Sequence, residues 1–339
     1  MFFIDKYVPK SAKKSILHKD ILALLDFMSK DDSIPHIIFY GMNGVGKRRI
    51  IKLFLEMLYG PDVNNLEENI YTVCGSGNKV RDVLVKQSDY HIVIDPVDNN
   101  FDKYLIQDIV KEYAKRIQIN IFNSKKLFKS VLINNLDNLS YYAQTSLRRT
   151  MEKYSGTCRF ITWCCSLSRV IEPLKSRCIC IRVSSPNNAD MFKLAHTISV
   201  KENLNIKLDD YYKIIKNANG SVKNLLWNLN LIKVGQINSE YNTVYEETIN
   251  DISDLIIKSD LDNIHNIRTM IYNLLITNVE PSIILKDLLL NLCNKNLSEK
   301  IKHKIINSAS TYDHSMVKHR REIIHLEAFI INVMNIITK

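Results

Sequence analysis

The stretch Ile34-Pro35-His36-Ile37-Ile38-Phe39-Tyr40-Gly41-Met42-Asn43-Gly44-Val45-Gly46-Lys47 decides how the rest of the chain is read. Ile34 to Tyr40 is a short apolar run that meets a glycine-rich turn, and Ile50 to Leu58 then carries apolar residues at helical spacing. That order predicts strand, loop, helix. In this context Gly41 to Lys47 matches the phosphate-loop pattern through its lysine, and a plain glycine turn is the weaker reading. The backbone amides of Gly41, Asn43, Gly44, Val45 and Gly46 can curl around phosphate oxygens, Lys47 adds a point charge, and the helix start adds its partial positive end.

The next position should offer a hydroxyl to a magnesium ion, yet it is Arg48, followed by Arg49. An arginine cannot ligate a cation. The second half of such a site is an apolar strand ending in acids, and here it reads Val131-Leu132-Ile133-Asn134-Asn135-Leu136-Asp137. Asn134 and Asn135 are neutral and cannot take a proton from an attacking water. Asp137 reads either as the cap of the following helix or as a displaced catalyst, the cap being favoured. The expectation is a site that holds ATP or ADP without hydrolysis, with magnesium poorly coordinated.

Working outward, strands are expected at Tyr90 to Ile94, Ser130 to Asn134, Arg159 to Cys165 and Cys178 to Val183, with helical patterns between several of them. This alternation predicts an α/β fold with a parallel sheet. Beyond the turn-rich Ser184 to Asn188 the pattern is helical, with Leu225, Leu229 and Ile232 on one face and a polar break at Gly235 to Asn242. The expected division is residues 1–185, 186–236 and 237–339, and a chain of 339 residues is long enough for two or three domains.

The formal charge of +10 fits a polyanionic partner or merely a solvated basic surface. The charged start MFFIDKYVPK does not read as a signal peptide, and no apolar run approaches membrane-spanning length. An intracellular protein with no membrane partner is expected. Of seven cysteines, Cys158, Cys164, Cys165, Cys178 and Cys180 crowd into strand-like segments without a CxxC pair, so buried reduced thiols are expected and no metal site.

Ala143-Gln144-Thr145-Ser146-Leu147-Arg148-Arg149-Thr150-Met151-Glu152-Lys153-Tyr154 resembles the AQxxLRRTMEKY helix of replication factor C small subunits. Asp5-Lys6-Tyr7-Val8-Pro9-Lys10 is similar to that family's DKYRPK segment, with Val8 for the arginine, and Ser176-Arg177-Cys178 to its SRC motif. His325-Leu326-Glu327-Ala328-Phe329 and the helix start at Pro281 resemble the member of the family whose nucleotide site is degenerate. The resemblance implies an AAA+ module with a parallel sheet, a helical lid and an all-α collar, assembled with other clamp-loader subunits into a five-membered ring. It further implies a sliding clamp and primer-template DNA as partners, DNA replication as the process and the nucleus as the location, unless the source is a large DNA virus. A replication loader and a checkpoint loader remain open. Against the family pattern, Cys165 stands where a sensor asparagine is expected and Lys223 where the lid's sensor arginine is.

By the same resemblance Arg177 is the arginine finger that reaches a neighbour's γ-phosphate. From Lys103 to Lys129 there are seven basic and two acidic residues, a net of +5, and Lys103, Gln107, Lys111 and Lys115 fall at four-residue intervals on a helical pattern. A solvated helix face explains this stripe from residues alone; the resemblance makes it the DNA-backbone contact, with Ile121 and Phe122 beyond it toward the clamp. An active ATPase with displaced metal ligands is the alternative to the inactive site.

Overall fold

The computed structural model describes residues 1–9, 11–12, 15–31, 33–74, 80–96, 102–115, 126, 128–235, 243–259, 263–318 and 321–338. The chain divides into two compact units, Met1–Gln236 and Ile237–Lys339. The first begins with α1 (Phe3–Lys6), α2 (Lys19–Lys30), β1 (His36–Tyr40), α3 (Lys47–Tyr59), β2 (Glu67–Cys74), β3 (Val80–Gln87) and β4 (His91–Ile94). There follow α4 (Asp102–Leu105), a π-helical turn (Ile106–Val110), α5 (Lys111–Lys115), β5 (Lys129–Ile133), α6 (Tyr141–Lys153), β6 (Cys158–Cys164), α7 (Glu172–Lys175) and β7 (Cys178–Arg182). Three helices close the unit: α8 (Asn188–Glu202), α9 (Leu208–Asn217) and α10 (Val222–Val234).

The strands form one sheet in the order β2-β3-β4-β5-β6-β1-β7. From β4 to β7 all neighbours are parallel. Parallel strands covered by helices on both faces read as near-continuous apolar runs, which is why His36-Ile37-Ile38-Phe39 was legible as a strand. Ile37 and Phe39 pack with Leu25 of α2 and Phe54 and Leu58 of α3, whereas Ile38 faces Ile109, Val110, Leu147 and Met151 on the other side.

The sheet departs from the expected one at its edge, where β2 pairs antiparallel with β3 and β3 antiparallel with β4. This hairpin escaped the sequence reading because it buries little: Val73 and Val85 are enclosed, but Ile70 and Leu84 are exposed among charged neighbours. A strand half in water has no continuous apolar signature.

The second unit comprises α11 (Val244–Lys258), α12 (Ile264–Ile276), α13 (Pro281–Asn294), α14 (Glu299–Lys318) and α15 (Glu322–Thr338). A capping box between Thr243 and Glu246 starts α11, and Pro281 occupies the first turn of α13, where its missing N–H costs nothing. Leu326 and Phe329 are fully buried, and Arg268 donates from Nε and Nη2 to the two carboxylate oxygens of Glu327 at 2.5 and 2.6 Å, tying α15 to α12. Among the described residues no helix is long and apolar enough to cross a membrane. Ile121, Phe122, Arg116, Lys125 and the polar break at 236–242 lie outside the described residues.

Candidate functional site

The loop after β1 is shaped by two close approaches. Gly41 has φ 153°, and a Cβ there would lie 2.2 Å from the Val183 carbonyl oxygen, just past β7. Gly44 has φ 81°, and its Cβ would lie 2.1 Å from Ser221 Oγ at the start of α10. Only glycine satisfies both the backbone and the space. The Lys223 amide donates to the Gly44 carbonyl at 3.1 Å, so the first turn of α10 sits directly on the loop while Lys223 itself is exposed. Gly46 precedes α3 without a side-chain cap, leaving the helix start open to an anion; Asn43 is exposed and Val45 buried. Lys47 is buried, with Nζ donating to the carbonyls of Gly41 (2.6 Å) and Met42 (2.9 Å) and lying 3.7 Å from Cys165 Sγ. These residues fit phosphate.

They do not fit magnesium. Asn134 is buried and both ends of its amide are taken: Oδ1 accepts from Trp163 Nε1 at 2.6 Å, and Nδ2 donates to Asp95 Oδ1. Arg48 stands over the Trp163 ring at 5.3 Å and 3.8 Å from Asp95. Asn135 has φ 47° and opens a 3-10 turn. The cap reading of Asp137 is corrected: α6 starts only at Tyr141, where Ser140 accepts from the Ala143 amide, while Asp137 Oδ2 accepts from the amides of Cys165 and Ser166, both at 3.0 Å. The intervening 3-10 turn carries Asp137 away from the helix start and onto the loop after β6.

Sequence reasoning missed Asp95, Trp163 and His18. His18 Nε2 meets the Val45 carbonyl at 3.0 Å, and burial lowers its pKa against the pull of that carbonyl and of Asp190. None belongs to a motif; Asp95 follows an apolar strand, the one signal that could have marked it. Burial pushes the thiols of Cys158, Cys164 and Cys178 up to about 12, so they are protonated.

Arg177 lies in the turn between α7 and β7, 38% exposed in its side chain. Its guanidinium meets Glu152 of α6 at 2.6 Å and donates to the Pro173 carbonyl at 2.7 Å. Because β7 runs parallel to β1 with Cys178 beside His36, Arg177 sits at the opposite end of the strand pair from Gly41. Six steps of extended chain put about 20 Å between them. Arg177 therefore cannot serve its own loop.

Family models match both parts of the chain: one described as "Replication factor C subunit 3, C-terminal domain" over residues 245–339, and one described as "DNA polymerase III, delta subunit" over residues 17–187. A putative replication factor C small subunit of Acanthamoeba polyphaga mimivirus is 37% identical over 343 residues, covering 98% of this chain and 90% of the relative. Replication factor C subunit 3 of Arabidopsis thaliana is 34% identical over 346 residues, covering 99% and 97%, and that of Homo sapiens 31% over 347 residues, covering 99% and 96%. The chain belongs to the replication factor C small-subunit family. A DNA polymerase III gamma subunit-related protein of Thermotoga maritima shares the fold, with a TM-score of 0.52 at 11% identity over 92% of this chain and 98% of that one. The clamp-loader subunit is thus an α/β module with a parallel-dominated sheet, followed by an all-helical region.

In this clamp-loader subunit the basic stripe takes a form that the sequence did not predict. Gln107, Lys111 and Lys115 are exposed and Lys103 half-buried, but the π-helical turn Ile106–Val110 adds a residue to the turn between them. Lys103 lies 5.9 Å from the Tyr104 ring, and Gln107 donates to Ser146 Oγ of α6 at 3.3 Å. Leu105, Ile109, Val110 and Tyr113 fill the core beneath.

Proposed function

We propose that this chain is the non-hydrolysing subunit of a hetero-oligomeric sliding-clamp loader in DNA replication, contributing an arginine to a neighbour's nucleotide. The observation that carries the reading is the place of Arg177, exposed and at the far end of β7 from the loop of its own subunit. In the loop, the positions Gly41, Asn43, Gly44, Val45, Gly46 and Lys47, with Arg48 and Lys223 beside them, hold the phosphates of ATP or ADP. Asn134, Asn135 and Cys165 supply no acid or base to activate water. Of the two acids at the site, Asp137 is committed to two backbone amides and Asp95 to the Asn134 amide and the Arg48 guanidinium, which argues against an ATPase with displaced ligands.

A trans arginine stabilises charge that develops on the transferred phosphoryl group. The stripe Lys103, Gln107, Lys111 and Lys115 follows the phosphate backbone of primer-template DNA without reading bases. A nuclear or viral replication site suits that role. The test is reconstitution of the loader with Arg177→Ala in this chain alone. Clamp- and DNA-stimulated ATP turnover at the neighbouring site that Arg177 completes should fall by about 10³-fold, the lower end for arginine fingers; unchanged turnover at that site would sink the assignment. For the stripe, Lys111→Ala should weaken DNA binding alike on all sequences and reduce the salt slope by about 1.

A further inference from the structure

Arg48 is the side chain for which the loss of a metal ligand leaves most to explain. We propose that the Arg48 guanidinium takes the place of the divalent cation, so that this loop binds a nucleoside di- or triphosphate without any metal. The inference rests on the reading that the loop holds nucleotide.

A divalent ion in such a loop is bracketed by a hydroxyl after the lysine and a carboxylate at the end of a second parallel strand. Here the first position carries the guanidinium itself. Around it stand the groups that would otherwise face the ion: Asp95 at 3.8 Å and, bonded to Asp95, the Asn134 amide at the end of β5. The Trp163 ring holds Arg48 at 5.3 Å and Lys47 at 5.1 Å, both within cation–π range. Two basic side chains therefore share one aromatic ring at the start of α3. Such a cluster is relieved by an anion, and a guanidinium offers a planar, always-charged fork to two phosphate oxygens.

The Arg48–Asp95 pair leaves the guanidinium available. The side chains are 67% and 52% exposed, and solvent-exposed pairs of this kind contribute little and exchange readily. The adjacent Arg49 is differently employed: its guanidinium donates to the Pro9 carbonyl and pairs with Glu56 at 3.6 Å, fixing the N-terminal segment to α3. Of the two consecutive arginines, only Arg48 faces Trp163 and Asp95.

The experiment titrates the purified full-length chain with ADP by calorimetry, once with magnesium and once with EDTA. Wild-type affinity should agree within about twofold in the two buffers. Arg48→Ser should bind about tenfold or more weakly in EDTA, the size of a charge-assisted hydrogen bond to phosphate, and Arg48→Lys should keep metal independence with part of the affinity. Arg48→Ser combined with Asn134→Asp rebuilds a hydroxyl and a carboxylate and should bind better with magnesium than with EDTA. A wild-type affinity that drops tenfold on chelation overturns the proposal while leaving nucleotide holding intact. An Arg48→Ser chain that binds as well as wild type in EDTA does the same. Absence of any ADP binding overturns both.

Discussion

The two ends of the β1–β7 strand pair treat their cations in opposite ways. At the C-terminal end Lys47 is 4% exposed and fixed by loop carbonyls, with Arg48 beside it on the same indole. At the N-terminal end Arg177 is 38% exposed and carried on a turn. The loop keeps its shape because Gly41 and Gly44 are held by packing against Val183 and Ser221, a demand independent of chemistry. Nothing in the packing demands an acid at Asn134 or Asn135; the asparagine at 134 is instead absorbed into bonds with Trp163 and Asp95. In the proposed reading phosphate binding and hydrolysis therefore separate, since one would rest on backbone geometry and the other on a few side chains.

The largest effect expected of this contrast comes from Arg177→Lys in the assembled loader. A lysine keeps the charge but not the planar fork, so stimulated turnover at the neighbour's site should fall on the order of 10²-fold. ADP affinity of the isolated chain should stay within about twofold, because the two ends are about 20 Å apart. A joint loss would break the comparison.

Gly44→Ala attacks the other end. Its positive φ and the Ser221 contact should cost about 1–3 kcal/mol, read as a fall in melting temperature of several degrees. Unchanged melting would mean that α10 is not seated on the loop.

Acid should loosen the N-terminal end of β1 and the junction of α8 with α10 in different pH windows. His36, at the N-terminal end of β1, accepts the Phe160 amide at Nδ1, and burial, aided by Arg159, lowers its pKa to about 4. The unfolded chain binds that proton near 6.5, so its stabilising contribution is complete above 6.5 and is lost as pH falls to about 4, at no more than about 1.4 kcal/mol per pH unit. In the last turn of α10 Lys233, together with Lys6 and Tyr7, holds the Glu202 carboxyl of α8 down to about 2. Its contribution is present above the ordinary carboxylate range and is lost only as pH falls toward 2. Hydrogen-exchange protection at pH 5 should therefore drop first around Phe160, with the contacts of α8 and α10 intact; simultaneous loss would refute the order.

The parallel strands, the loop and the helical character of the last hundred residues were legible because each imposes a local pattern: a run of Ile37 to Phe39, glycines at fixed offsets, apolar residues at helical spacing. What stayed hidden depends on distant partners or on the absence of burial. Glu202 meets Tyr7 across 195 positions, Asp95 meets Asn134 across 39, and the β2–β3 hairpin and the π-helical turn have no periodic signature. Glu152 was visible only as a letter in the Met151-Glu152-Lys153 run; its contact with Arg177 requires α6 and the α7 turn to be folded together.

That contact gives the smallest and most discriminating prediction. To reach a phosphate on another subunit, the Arg177 guanidinium must give up Glu152, whose side chain is 42% exposed. An ion pair so open to water is worth about 0–1 kcal/mol. Glu152→Gln should therefore leave the melting temperature nearly unchanged and raise stimulated turnover by no more than about fivefold, the rate equivalent of 1 kcal/mol. The Pro173 carbonyl still accepts from the guanidinium at 2.7 Å and keeps it in place. A fall as deep as that of Arg177→Lys would instead make Glu152 a positioning group, and the N-terminal end would then be a matched pair rather than an arginine lightly held until a neighbour's phosphate takes it.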